Sequence, residues 1–434
     1  MPLIPERAVR AVFWALAALG VAAHLGVAIV AGNHLTTPWS GYGDVHQYVT
    51  LATNLRLGDG FTYAHTPTAF RPPLYPLLLA GFMWLSTTHW LALLHAVQFL
   101  TSLATTWVCA KLATRWFGPE SGAIALAIAL LMPTQLYFTG ETLTERTVSL
   151  LGILLLMYLD RAVQCGGSRN WILLGLVAGA AALERFNAAA LVLVAAAVAV
   201  GWPVRVPERP RLRPLALVCA TCAIVIAPWL ARTFTAFHGR ALYSTHVGFG
   251  AVEGILSPTG RAQEGETQKI DKALGWGNWS VETNSPARPE LRDEVALNSQ
   301  AWNVAADLWR NAGWSLALIA AEKLAAFWLS TDQMFHLSMF SLRNRVLRRA
   351  GVTAYLVVLM LALVGWFQLR TRNPKIAHLL LLYAIVLTAL HLPLTMNTRL
   401  RSPLFDPLLA SLGAGSLVAF FEKRTSGFFR PQSA

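Results

Sequence analysis

Two residues stand out for the chemistry they could do together. Asp44 lies in Gly41-Tyr-Gly-Asp44-Val-His-Gln-Tyr48, and Arg71 opens Arg71-Pro-Pro-Leu-Tyr75-Pro-Leu-Leu-Leu-Ala80. Between them, positions 44, 48, 52 and 55 share one helical face. Gly58 and Gly60 then end that helix, and the Pro-Pro pair is expected in the first turn of the next one. Asp44 follows the first long apolar block, so the pair should sit where lipid meets water. A carboxylate there can accept a hydroxyl proton. A guanidinium beside it can hold a phosphate through a planar fork of N–H donors. The pair therefore suits a reaction between a membrane-anchored phosphate and a polar acceptor.

Further charges punctuate the apolar stretches. Glu141 and Glu145 are read as one helical face near a helix start, where negative charge is favoured. They could hold a divalent cation or sugar hydroxyls, or simply cap the helix with Arg146 as a local partner. Glu184-Arg185 interrupts a long apolar run, an expensive place for charge unless it serves a function or sits at a turn. Arg232 follows Pro228-Trp229, and Arg399 and Arg401 precede Ser402-Pro403; each could contact phosphate or anchor a helix end. His46 is expected on the surface, and His24, His95 and His391 as packed or interfacial residues. Trp276 and Trp279 could stack on a sugar or fold a small cap. Cys219 and Cys222 have redox or metal spacing, but inside an apolar block they read as small packing residues.

The elements that must position these groups follow from hydropathy. Of the 434 residues, 55% are hydrophobic and 13% charged, about half the charge of a soluble protein; the mean hydropathy is +0.48. Of the apolar blocks at 8–31, 91–113, 172–202, 215–230, 352–369 and 376–392, several are long enough for membrane-crossing helices, and short alternating segments for a barrel are lacking. The expected fold class is an all-α polytopic membrane bundle of about ten to twelve spans, with external juxtamembrane helices. The net charge of +13 sits at block ends, as in positive-inside flanks, so no nucleic-acid partner is implied. The first block is read as a retained span with no cleavable signal peptide.

Alternating the blocks from a cytoplasmic N-terminus puts 33–72, 141–146, 184–187 and 232 on the outer side. The polar segment 233–311, read as having no apolar run of its own, becomes a small external cap. The divisions are 1–232, a transmembrane module with the first external loop at 33–90; 233–312, the cap; and 313–434, the C-terminal helices. Segments 74–85 and 314–329 could each cross or lie along the interface. If 314–329 does not cross, the basic stretch 370–375 is cytoplasmic and Arg399 and Arg401 are external.

The ordered set Asp44, Tyr48, Gly58, Gly60, Arg71, Pro72, Pro73 and Tyr75 resembles the first external loop of the GT-C membrane glycosyltransferases. It is closest to the protein O-mannosyltransferase and lipid A aminoarabinose transferase group. The resemblance is firm over 44–80 and loose elsewhere. It implies a GT-C bundle in a bacterial inner membrane with its active site on the periplasmic face. The implied reaction is inverting transfer of a hexose or pentose from a polyprenyl-phosphate donor to a glycan, lipid or protein acceptor. Asp44 would be the general base. Tyr48, Arg71, Tyr75, Glu145, Arg185, Arg232, Arg399 and Arg401 would contact substrate. Many relatives have a second acidic residue directly after the Asp, where this chain has Val45; a divalent metal held by Asp44 and Glu145 is thus left open. Two alternatives compete. A lipid or polysaccharide transporter would want ionisable residues at mid-membrane and related halves. An O-antigen ligase or polymerase would rely on Arg and His in a large late loop.

Overall fold

The computed structural model describes residues 6–33, 43–63, 65–202, 212–258, 266–274, 293–330 and 345–426. Trp276 and Trp279 lie outside them. The chain is a helical bundle whose only described strands are a two-residue hairpin, β1 (Thr62–Tyr63) and β2 (Thr66–Pro67).

The first half runs α1 (Glu6–Gly32), α2 (Gly43–Leu57), the hairpin, α3 (Leu74–Leu85), α4 (Trp90–Phe117), α5 (Glu120–Leu131), α6 (Pro133–Thr139) and α7 (Glu145–Cys165). It continues with α8 (Ser168–Glu184), a 3-10 turn (Phe186–Ala189), α9 (Ala190–Ala199) and α10 (Leu212–Ala236). Segment 233–312 supplies α11 (Val247–Leu256), α12 (Glu266–Leu274) and α13 (Glu294–Ala312). The last helices are α14 (Ser315–Leu329), α15 (Arg345–Arg372), α16 (Pro374–His391) and α17 (Thr398–Ser426).

Among the described residues, seven helices are long and apolar enough to cross a membrane: α1, α4, α7, α10, α15, α16 and α17. Pro133 follows an extended Met132 and bends α5 against α6 by 58°, since proline disfavours helical geometry in the residue before it. That bent pair makes an eighth candidate. α13 with α14 makes a ninth, so seven to nine candidate spans stand among the described residues where ten to twelve were expected.

Small residues set the close approaches. A Cβ on Gly175 would lie 2.0 Å from Thr221 Oγ1, and one on Gly179 2.9 Å from Val225 Cβ, so α8 and α10 pack backbone to backbone. Cys222 is buried beside this seam and Cys219 exposed, both as free thiols.

Neither ambiguous segment is by itself a candidate span; α14 counts as one only together with α13. α3 has 12 residues and packs its Tyr75, Leu79 and Met83 against Val45, Tyr48 and Ala52 of α2. The prolines precede α3 and do not occupy its first turn, because the helix begins at Leu74. α13 and α14 meet at 110°, and α14 ends where Ser330 accepts a hydrogen bond from Thr398.

Segment 233–311 does contain an apolar run: α11, too short to span at ten residues. It packs with α12 and α13 around Ala251, Val252, Ile270, Leu274, Ala301 and Ala305.

Candidate active site

Charges far apart in sequence converge at one end of the bundle. Arg71 pairs with Asp44 Oδ1. Arg399 reaches Asp44 Oδ2 at 2.8 Å and also binds Glu145 Oε1. The same Glu145 oxygen accepts from Arg185 at 3.1 Å. The result is an unbranched chain of alternating charge, Arg71–Asp44–Arg399–Glu145–Arg185. At the opposite end, Arg115 pairs with Asp160, and Arg213 bonds Ser168. The two groups of charges that alternation assigned to opposite sides thus lie at opposite ends.

Local structure explains how each member is held. Asp44 and Glu145 stand in the first turns of α2 and α7, and Arg399 in that of α17, where Asn397 caps the Leu400 amide. Three helix N-termini therefore point partial positive charge at the cluster. Arg185 occupies the extended residue between α8 and the 3-10 turn, so its side chain leaves the bundle wall there.

Arg71 is fixed by what surrounds it. Its Nε donates to Gln47 Oε1 at 2.6 Å, and its guanidinium lies over the rings of Tyr48 and Phe70. Tyr48 and Tyr75 meet edge to face at 5.2 Å. Burial pushes the Tyr48 hydroxyl up, so it stays a neutral donor.

Arg232 serves the loop itself. It donates to the Thr68 carbonyl at 2.6 Å and to the Phe61 carbonyl, with its guanidinium over Trp229 and Phe61. Glu294 of α13 accepts from the Ala69 amide and from Thr245. These ties hold the stretch from Gly60 (φ +77°) to Arg71.

Arg401 lies inside the bundle. It is fully buried, 3.9 Å over Tyr355, bonded to the Phe327 carbonyl and 3.5 Å from Asp406. Arg146 is also internal, bound to Ser102 and Gln135. It is not the hydrogen-bonding partner expected for Glu145, whose bonds go to Arg185 and Arg399 instead. Glu141 precedes α7, because that helix starts at Glu145; the two do not share a helical face. His24 and His391 are buried and hydrogen-bonded, and His46 is exposed, as expected.

The electrostatics of the first loop are lopsided. Burial works against the Asp44 charge, but Arg71 and then Arg399 outweigh it and hold the carboxyl well below its usual range. The five-membered chain carries three guanidinium groups and two carboxylates. Its formal excess is thus one positive charge, and the buried Arg185 Nη1 makes no hydrogen bond among the described residues. An unpaired buried donor costs about 1–3 kcal/mol, so this end can take up a further hydrogen-bond acceptor.

The same geometry bears on a metal. No group of three or more His, Cys, Asp or Glu side chains stands together among the described residues. Asp44 and Glu145 are joined through Arg399, where a divalent ion shared by the two carboxylates would have to sit. As arranged, the pair does not fit such an ion.

Two residues of this region, His246 and Glu253, escaped the sequence reading, and Glu184 entered it only as the neighbour of Arg185. Glu184 lies beside Glu145, its carboxylate bonded to Thr147. His246 and Glu253 approach from the external segment. A signal for Glu253 was available: it is the one charge in the glycine-punctuated apolar run Val247–Leu256.

Residues 70–231 match the family model described as dolichyl-phosphate-mannose-protein mannosyltransferase. No curated protein matches the chain. Among solved structures, the archaeal oligosaccharyltransferase AglB from Archaeoglobus fulgidus, in complex with an inhibitory peptide and a dolichol-phosphate, superposes with a TM-score of 0.55 at 13% identity, over 95% of this chain and 50% of that one. The chain shares the fold of this oligosaccharyltransferase. A second AglB structure, tethered to an acceptor peptide, gives 0.56 at 13% identity, over 95% and 50% of the two chains. A third was solved with Zn and sulfate and gives 0.54 at 14% identity, over 94% and 49%. The chain thus spans about half the length of the AglB proteins it matches. ArnT from Cupriavidus metallidurans bound to undecaprenyl phosphate covers 92% of this chain and 77% of that one at 18% identity, with a TM-score of 0.40.

Proposed function

We propose that this GT-C chain is an integral membrane glycosyltransferase that moves a sugar from a polyprenyl-phosphate donor to an acceptor hydroxyl. The observation that carries the reading is the alternating ion-pair chain with its excess positive charge and unsatisfied guanidinium. A structural neighbour holding a dolichol-phosphate adds weight to the choice of donor. The donor phosphate lies along Arg185 and Arg399, with the positive ends of three helices behind it. Its lipid tail runs beside the bundle. Asp44 is the general base: the acceptor oxygen attacks the anomeric carbon while its proton moves toward this carboxylate. The bond from the anomeric carbon to the phosphate oxygen breaks, and polyprenyl phosphate leaves with the electron pair. One displacement inverts the anomeric centre. The site lies on the outer, periplasmic face of a bacterial inner membrane, and the positive-inside flanks support its outer placement.

The test is release of polyprenyl phosphate by purified protein in nanodiscs, offered a panel of polyprenyl-phosphate sugars with acceptors. Wild-type release that falls by about 10²-fold or more in folded Asp44→Asn is expected for loss of a general base. Full activity in that variant would remove Asp44 from the mechanism.

A further inference from the structure

The external segment brings a carboxylate to this site that the mechanism above leaves unused. Glu253 sits near the end of α11, and glycines let that helix press inward. A Cβ on Gly254 would lie 2.7 Å from the Pro393 carbonyl oxygen and the Leu394 backbone. One on Gly248 would lie 2.5 Å from the Asn298 carbonyl of α13. α11 is therefore wedged between α13 and the turn leading into α17.

The side chain is only half-buried and makes no ion pair among the described residues. Thr395 lies beside it, and it feels the charges of Asp44, Arg71 and Arg399. His246, at the start of the same helix, stacks edge-on against Phe70 at 4.4 Å and feels Arg71 and Asp44. Burial holds that imidazole near 3, so it is neutral. The two acids thus differ in kind: each Asp44 oxygen is held by a guanidinium, whereas Glu253 pairs with none among the described residues.

We propose that Glu253 is a second catalytic carboxylate, the group that takes up the proton the acceptor hydroxyl loses. The inference rests on the transferase reading. As the new carbon–oxygen bond forms, the hydroxyl proton moves to Asp44 and then to a Glu253 oxygen. The phosphate keeps the electrons of the broken bond. The environments explain the division of labour. Asp44, clamped by two guanidinium groups, draws on the proton but cannot keep it at neutral pH. Burial pushes Glu253 up to about 7; Thr395 opposes this, the Asp44 charge adds to it, and Arg71 and Arg399 counter it. Two carboxyls driven apart in this way can serve as the transient and the final proton acceptor.

The experiment compares wild type, Glu253→Gln and Glu253→Asp in nanodiscs with two readouts. Infrared difference titration needs no substrate: the wild type should show a carboxyl band that titrates near pH 7 and is missing from Glu253→Gln. A Glu253 band titrating below about pH 5 would overturn the proposal. The second readout is polyprenyl phosphate release against pH. Wild-type rate should fall as pH drops through about 7, because a protonated Glu253 has no room for the proton. Glu253→Gln should lose roughly 10²-fold in kcat together with that limb, while Glu253→Asp keeps it. Unchanged activity in Glu253→Gln refutes the role and leaves the transferase reading standing. A wild type that turns over no donor refutes that reading, and the proton-accepting role with it.

Discussion

Replacing Arg399 by alanine removes the middle cation of the five-membered chain and leaves two carboxylates with one partner each. Asp44 keeps Arg71, and Glu145, with no side-chain exposure, keeps only Arg185 at 3.1 Å. The formal excess charge of the chain falls from one positive to zero. At an effective dielectric near 20, an interaction between unit charges about 4 Å apart is worth about 4 kcal/mol before desolvation. A net 1.5–3 kcal/mol, typical of a hydrogen bond to a charged group, is the fraction expected to survive. That corresponds to a loss of roughly 10- to 150-fold in polyprenyl phosphate affinity. Breaking a buried pair also costs about 3–5 kcal/mol of stability; the lower end applies here, because Arg399 and Asp44 are 14% and 24% exposed. Arg399→Lys should fall between the two, since one ammonium keeps the charge but lacks the planar fork that bridges both acids. The assay is equilibrium binding of a short-chain polyprenyl phosphate to protein in nanodiscs, at two salt concentrations and with thermal unfolding recorded in parallel. Folded Arg399→Ala with a Kd within about twofold of wild type would refute the argument that the cluster receives the phosphate.

Other expectations follow from the same contacts. Arg232→Ala should lower stability by about 2–4 kcal/mol, because two main-chain carbonyls lose charged donors; protein that still folds should bind polyprenyl phosphate within about threefold of wild type, and a larger loss would give Arg232 a direct contact. Exhaustive chelation with EDTA should leave transfer within about twofold, since Arg399 already joins the two candidate ligands; activity that vanishes and returns with a divalent ion would reverse that conclusion. Gly175→Val should destabilise the bundle by about 1–3 kcal/mol or more, as its Cβ would meet Thr221 Oγ1 at 2.0 Å and the Val218 carbonyl at 2.6 Å. A melting temperature equal to wild type would show that α8 and α10 separate freely.

The sequence by itself determined the bundle, the sidedness of its charges and the Asp44–Arg71 pair. Each depends on something a linear string records. Block length against membrane thickness gives the spans, flanking charge gives their direction, and helical spacing with glycine and proline breaks gives the loop that joins Asp44 to Arg71. The tertiary structure decided which of the punctuating charges meet. Arg399 and Arg401 are two residues apart and equally plausible as phosphate ligands, yet one bridges Asp44 and Glu145 while the other is buried against Tyr355. Positions two apart on a helix point to different faces, and only the packing of α17 against α7 says which face meets the site. Arg146 adjoins Glu145 in sequence, but Glu145 bonds to Arg399, 254 residues away. Arg232 looked like a phosphate contact until the loop it supports was in place around it. Glu253 came into view for the same kind of reason: glycines on α11 allow an approach to the turn before α17 that hydropathy does not encode.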